Sequence, residues 1–303
     1  MRGFKMRNSS LVITVIGIIL VVSLLGILFY PSASDFMESN KAWNGINSFI
    51  KDFKAENSDS VVNISPDNQQ QVFVSIPYTD YSSEELERIG EFVSNGNLLL
   101  LLDDFGYGNS LLEHMEIEAR FSNSLLLDPL FNYKNQYLPR ITEFSTDVKE
   151  TGIEAITLNH ASTLINVGQS HIIALSSSAS FEDVNRNGLQ DEEEPSGPFT
   201  VAAEYDYGRG KVVLLSDPSI TINTMVGYNN NYEFINYLVN LNGTPDKIIL
   251  DRAHITKTPL DVSKINTEQL MIILNNNYVI LGMVVLIFIF TTAYAFRKEE
   301  VFG

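Results

Sequence analysis

The sequence predicts an α/β fold: a mostly parallel sheet, flanked by one N-terminal and one C-terminal transmembrane helix. Two observations carry this expectation. Residues 72–102 read as strand, helix and strand, ending in five consecutive leucines. A run apolar on both faces is what a parallel strand covered from both sides requires. The other observation is a pair of charge-free apolar stretches, 11–30 and 278–296. Each has about the 20 residues a helix needs to cross a hydrocarbon core roughly 30 Å thick. Arg2, Lys5 and Arg7 precede the first, and Arg297 and Lys298 follow the second. By the positive-inside rule residues 1–10 and 297–303 are cytoplasmic, and 31–275 form a domain on the far side. Ser32-Ala33-Ser34 also fits a signal-cleavage site. The first stretch exceeds the usual h-region of about 7–15 residues, however, so it is read as an uncleaved anchor.

The elements follow in order. Asp35 with Glu38 starts a capping-box-like helix, and Phe36, Trp43, Ile46, Phe49, Ile50 and Phe53 recur at helical spacing. Trp43 is expected in the core. Residues 61–64 and 72–76 read as short strands separated by a turn at 65–68. Ser82 with Glu85 makes a capping box, Leu86, Ile89 and Val93 mark a buried helical face, and Asn95-Gly96 ends that helix. The 98–102 strand then closes a parallel crossover. Strands at 171–175, 199–205 and 212–215 follow, the last two joined as a hairpin through 206–210. A helix spans 231–241 and a final strand 248–250. Residues 115–170 show no secure periodicity.

Composition narrows the function. Of 20 basic residues 15 lie in 31–275, and of 37 acidic residues 35, for a domain charge of about −20 against −17 for the chain. That argues against nucleic acid, whose phosphates need a basic footprint. There is no cysteine. Disulfides, thiolate metal sites and a cysteine nucleophile are therefore excluded.

Three blocks, taken together, resemble a known family. They are 82–104 (SSEELERIGEFVSNGNLLLLLDD), then 207–223 (YGRGKVVLLSDPSITIN) with 229–241, and 247–255 (KIILDRAHI) ahead of the second apolar stretch. They are similar to the domain of unknown function 4350 family over about 70–300, with 31–70 and 115–170 matching weakly. Arg252 departs from the family's closing motif, where an acidic residue is common. The resemblance implies a flavodoxin-like, class I glutamine-amidotransferase-like α/β fold. It also implies an accessory role beside ABC-type transport or MoxR-type ATPase systems; it transfers no activity.

The sharpest local motif is 183–194 (DVNRNGLQDEEE). Set on a calcium loop of the EF-hand type, Asp183, Asn185 and Asn187 fall at positions 1, 3 and 5. Gly188 falls at position 6, the Leu189 carbonyl at 7, Asp191 at 9 and Glu194 at 12. Pro195 and Pro198 stop any exit helix, so an isolated loop is expected rather than helix-loop-helix. Carboxylates also stand at strand ends: Asp104, Asp217 and Asp251, with His254 three residues after the last. Ligands of open α/β sheets bind there. Aspartates at such places more often cap the next turn, and no serine elbow, phosphate loop or clustered histidines accompany them. The expectation is thus a non-catalytic, membrane-anchored binding or scaffolding domain with bound calcium, a membrane-embedded partner protein and no nucleic acid. The alternative is a cell-surface hydrolase using the strand-end carboxylates.

Overall fold

The computed structural model describes residues 8–65, 70–277, Leu281 and Val285. The turn expected at 65–68 and the stretch 278–296 therefore lie almost wholly outside the described residues. The chain divides into two compact units, Ala33–Thr256 and the segments on either side of it.

In the larger unit, α2 (Asn47–Phe53) leads to β1 (Glu56–Ser58), then β2 (Gln71–Ser75), α3 (Ser83–Ser94) and β3 (Leu98–Leu102). Short pieces follow: α4 (Asn109–His114), β4 (Arg120–Phe121), β5 (Leu125–Leu127), β6 (Arg140–Ile141), β7 (Glu143–Phe144), α5 (Thr146–Glu150), β8 (Ile156–Thr157) and β9 (Leu164–Ile165). The unit continues through β10 (Ile172–Leu175), β11 (Phe181–Asp183), β12 (Thr200–Tyr207), β13 (Gly210–Leu215), α6 (Asn231–Val239) and β14 (Lys247–Asp251).

The main sheet runs β1-β14-β2-β3-β13-β12-β10-β7, with β9 and β4 attached beside β12. Its first five strands are parallel, and β12, β10 and β7 continue it antiparallel. The fold is thus α/β with a largely parallel central sheet. Leu98–Leu102 sits between β2 and β13, and every one of its side chains is buried. Leu99 and Leu101 pack with Phe73, Phe92 and Val212 in one cluster that includes α3 and α4. Leu98, Leu100 and Leu102 are buried on the other side, where α6 contributes buried Phe234 and Leu238. At ~25 cal/mol per Å² of apolar surface, this two-sided burial makes the leucine strand a main source of hydrophobic stabilisation.

Local chemistry explains the ends of α3. The Ser82 side chain accepts from the Glu85 backbone N–H, and Glu85 answers on the Ser82 N–H. Gly96, at φ +109°, lets the chain leave the helix. The hairpin between β12 and β13 forms as expected, turning through Gly208 and Arg209.

Several expectations need correction. The helix expected from residue 35 is confined to Asn47–Phe53. Phe36 adopts φ +56°, and the side chains of Asn40 and Asn44 bond to each other and to the carbonyls of Ser34 and Ala33. Such side-chain bonds give the backbone an alternative to helix. Trp43 is 62 % exposed rather than buried, because it lies in that irregular segment. Residues Val61–Asn63 form a 3-10 turn, not a strand, with Val61 buried. His171 closes a 3-10 turn (Gln169–His171) ahead of β10, and α6 stops at Val239.

The other unit contains α1 (Asn8–Phe29) and α7 (Pro259–Leu274), so the compact α/β unit ends at Thr256, before residue 275. Helix α7 begins with a capping box between Thr258 and Asp261, and Asp261 also accepts from Ser32 Oγ at 2.5 Å. From Val15 to Leu25 every residue of α1 is exposed. Among the described residues no helix is long and apolar enough to cross a membrane.

Candidate functional site

Because β14, β2, β3 and β13 are parallel, the residues at their carboxyl ends share one edge of the sheet. Ser75 closes β2, Asp103 and Asp104 follow β3, Ser216 and Asp217 follow β13, and Asp251 closes β14. Most of these groups are committed to internal bonds. Asp251 is buried and accepts from Ser75 Oγ at 2.7 Å and from the Ala253 N–H at 2.8 Å. His254 Nδ1 lies 2.8 Å from Asp251 Oδ2, and its Nε2 lies 3.6 Å from Glu85 Oε2. The ring of Tyr81 lies on His254 at 4.3 Å, with its hydroxyl 2.8 Å from Ser75 Oγ. Burial works against protonation of His254, but the hydrogen bond and charge of Asp251, aided by Glu85, outweigh it and hold its pKa above the usual value.

Asp217 is likewise enclosed. It accepts the N–H of Asn159 at 2.7 Å and of Ser219 at 2.8 Å, capping the 3-10 turn Pro218–Thr221. Burial pushes its carboxyl well above the usual range, and the charge of Asp104 adds to that. Asp103 accepts from the N–H groups of Phe105, Gly106 and Gly108 and so shapes the loop after β3. A Cβ at Gly108 would lie 2.9 Å from Leu101 Cδ2, so a larger residue there would have to displace the Leu101 side chain.

Asp104 is different. It is half-buried and lines a cleft of about 180 Å³ with Phe105, Ser124, His160 and Arg186. Burial and the neighbouring Asp103 raise its carboxyl to about 7, against a smaller opposing pull from Arg186. Tyr78 stands behind this edge, its ring 5.6 Å from Phe105 and 5.8 Å from Phe36. Burial and the charges of Asp104, Asp35, Asp103 and Asp217 push its phenol far up. The structure thus brings Asp104 and Asp217 into one electrostatic neighbourhood, while Asp251 and His254 belong to a separate buried network. Ser75, Tyr78, Tyr81 and Glu85 were not singled out as site residues in the sequence; a lone serine in an apolar strand is the only local signal for Ser75. His160 lines the Asp104 cleft.

The 183–194 loop draws its side chains together. Asp183 is buried at the end of β11 and accepts the N–H of Asn187 at 2.9 Å and of Gly188 at 2.8 Å. The amides of Asn185 and Asn187 donate to Asp191 Oδ2 at 2.7 and 2.9 Å. Glu194 folds back to accept from the N–H of Val184 and Asp191. Gly188 takes φ +77°, and its carbonyl accepts from Gln136. Leu189 sits in the same turn with its side chain exposed. Among the described residues no three His, Cys, Asp or Glu side chains group closely enough to hold a metal by themselves. The convergent set here owes two of its members to asparagine.

Comparison with known proteins places the fold. The N-terminal domain of mmIFT52 is similar at 14 % identity and a TM-score of 0.50, covering 67 % of this chain and 92 % of that one. A β-galactosidase from Bacillus circulans sp. alkalophilus matches at 10 % identity and a TM-score of 0.32, over 54 % of this chain and 22 % of that one. Gan42B, a GH42 β-galactosidase from G. stearothermophilus, gives 12 % and 0.33, over 58 % and 22 %. Only the first score bears on the fold, and none bears on activity. No curated protein matches the sequence. A family model, however, matches residues 39–239, which takes in the leucine strand, the 183–194 loop and α6. The chain belongs to the family defined by the domain of unknown function DUF4350.

Proposed function

We propose that this chain is a membrane-anchored, extracytoplasmic, non-catalytic binding or scaffolding domain, an accessory part of a membrane complex with a membrane-embedded partner. The observation that carries the reading is α1, whose apolar side chains are exposed all round from Val15 to Leu25. A helix apolar on every side is stable only in apolar surroundings. The internal use of Asp103, Asp217, Asp251 and His254 supports a binding role over catalysis. We read the sheet as amidotransferase-like and flavodoxin-like, with calcium held by Asp183, Asn185, Asn187, the Leu189 carbonyl, Asp191 and Glu194. Calcium would supply the positive charge that lets two carboxylates share one tight turn with Asp183.

The test uses the full-length chain tagged at both ends in its own membrane. Carbonate washing should leave it in the membrane pellet, and protease added to intact cells should remove the domain while sparing both tags. Release by carbonate, or a domain protected from external protease, overturns the reading. One observation favours the hydrolase alternative: Asp104, half-buried with a carboxyl raised to about 7, has the pKa of a general acid. Turnover in a hydrolase screen, abolished by Asp104→Asn in a folded protein, would establish it.

A further inference from the structure

The cleft beside β3 carries chemistry that neither tethering nor calcium uses. It holds about 180 Å³, and four segments apart in sequence build it, those of Asp104 with Phe105, of Ser124 with Leu125, of His160 with Ala161, and of Arg186. At its margin three non-glycine residues adopt left-handed backbone: Asn123 at φ +60°, His160 at +55° and Arg186 at +59°. Such conformations persist only where the surroundings enforce them, and they collect at ligand sites. The surroundings here hold polar side chains in place. Arg186 Nη2 donates to the carbonyl and the side-chain oxygen of Asn123, both at 3.2 Å. The His160 ring stacks on Tyr137 at 5.1 Å, with Nδ1 2.8 Å from Asn159 Oδ1. With Nδ1–H donating to that oxygen, Nε2 of the neutral ring is an acceptor.

We infer that this cleft binds a small free α-amino acid, its ammonium between Asp104 and His160 and its carboxylate on Arg186. The chemistry selects a zwitterion. The cleft is lined by a carboxyl group, an imidazole acceptor and a guanidinium, so a ligand carrying both charges finds a partner for each. Asp103 and Asp217 stand behind Asp104, and an ammonium relieves their mutual repulsion where a neutral sugar does not. A bare anion would meet the same carboxylates. The small volume limits the side chain, which has Phe105 and Ala161 for apolar contact. This inference goes beyond the tethering reading and does not depend on it.

Calorimetric titration of the full-length chain in detergent tests it, using glycine, alanine, serine, alaninamide, N-acetylalanine, acetate and glucose. A free amino acid should bind, and alaninamide and N-acetylalanine should each bind at least about 10-fold more weakly. Asp104→Asn and Arg186→Ala should each weaken binding by a similar factor without lowering the melting temperature. Absence of binding by all three amino acids overturns the inference. So does alaninamide binding as well as alanine, which marks a simple cation site, or acetate or glucose binding in place of the amino acids. If a variant fails to fold, the ligand series on the unaltered chain decides alone.

Discussion

Asp104 stands apart from the other strand-end carboxylates in what its environment does to it. Asp103 and Asp217 receive several backbone N–H groups that oppose the upward push of burial without cancelling it. Asp104 has desolvation and like charge against it, and its carboxyl rises to about 7. An unfolded aspartate titrates near 3.9. A carboxyl raised on folding stabilises most below its unfolded pKa, and that contribution is lost as pH rises through the folded value. Unfolding free energy should therefore fall between about pH 4 and pH 7. Asp104→Asn removes this group's share of the fall. The variant should be more stable than the parent at pH 8 by about 1–2 kcal/mol, a figure reduced for partial solvent access, and equal to it at pH 3.5. Urea denaturation at the two pH values measures both. A variant less stable at pH 8 would mean that the Asp104 carboxylate has a partner worth more than its burial costs.

At the scale of elements, local rules made some of the fold legible and left other parts dark. The Ser82–Glu85 box, Gly96 and the leucine strand could be read because each depends on residues within one turn or one strand. Ser82→Ala should accordingly lower stability by about 1 kcal/mol in thermal or urea melts. Residues 31–46 misled because asparagine side chains, not helical bonds, hold them. Residues 115–170 were opaque for another reason. Their strands are two or three residues long and exist through distant partners, β9 with β4 and β12, β5 with β11. Two residues carry no periodicity. The candidate site was half legible: strand ends located the carboxylates, while His160, Tyr78 and Arg186 reach the same edge only through tertiary packing. The 183–194 loop is the reverse case, a motif read from spacing alone, whose polar side chains bond to one another and to the loop backbone. Extracellular calcium loops bind at about 10⁻⁴–10⁻³ M. At 10 mM calcium the native state should gain about 1–3 kcal/mol, and the melting temperature of the full-length chain should rise. Asp183→Ala should abolish the rise; a parent protein indifferent to calcium would remove the ion from the proposal.

For the molecule as a whole, the order of the sheet matters more than any one strand. The first strand, β1, pairs directly with the last, β14, through Glu56–Ser58 and Ile249–Asp251. Ala33, Asp35, Ile255 and Thr256 line one small pocket, so the larger unit begins and ends at nearly the same place. A domain with adjoining ends behaves as a self-contained insert. It can be cut out at 33 and 256 and spliced into a surface loop of an unrelated carrier with little entropic penalty, because its ends already meet the geometry of a closed loop. The same adjacency favours circular permutation: joining residue 33 to 256 by a short Gly-Ser linker and opening the chain at exposed Gly152, whose added Cβ would meet open space, should yield a folded protein.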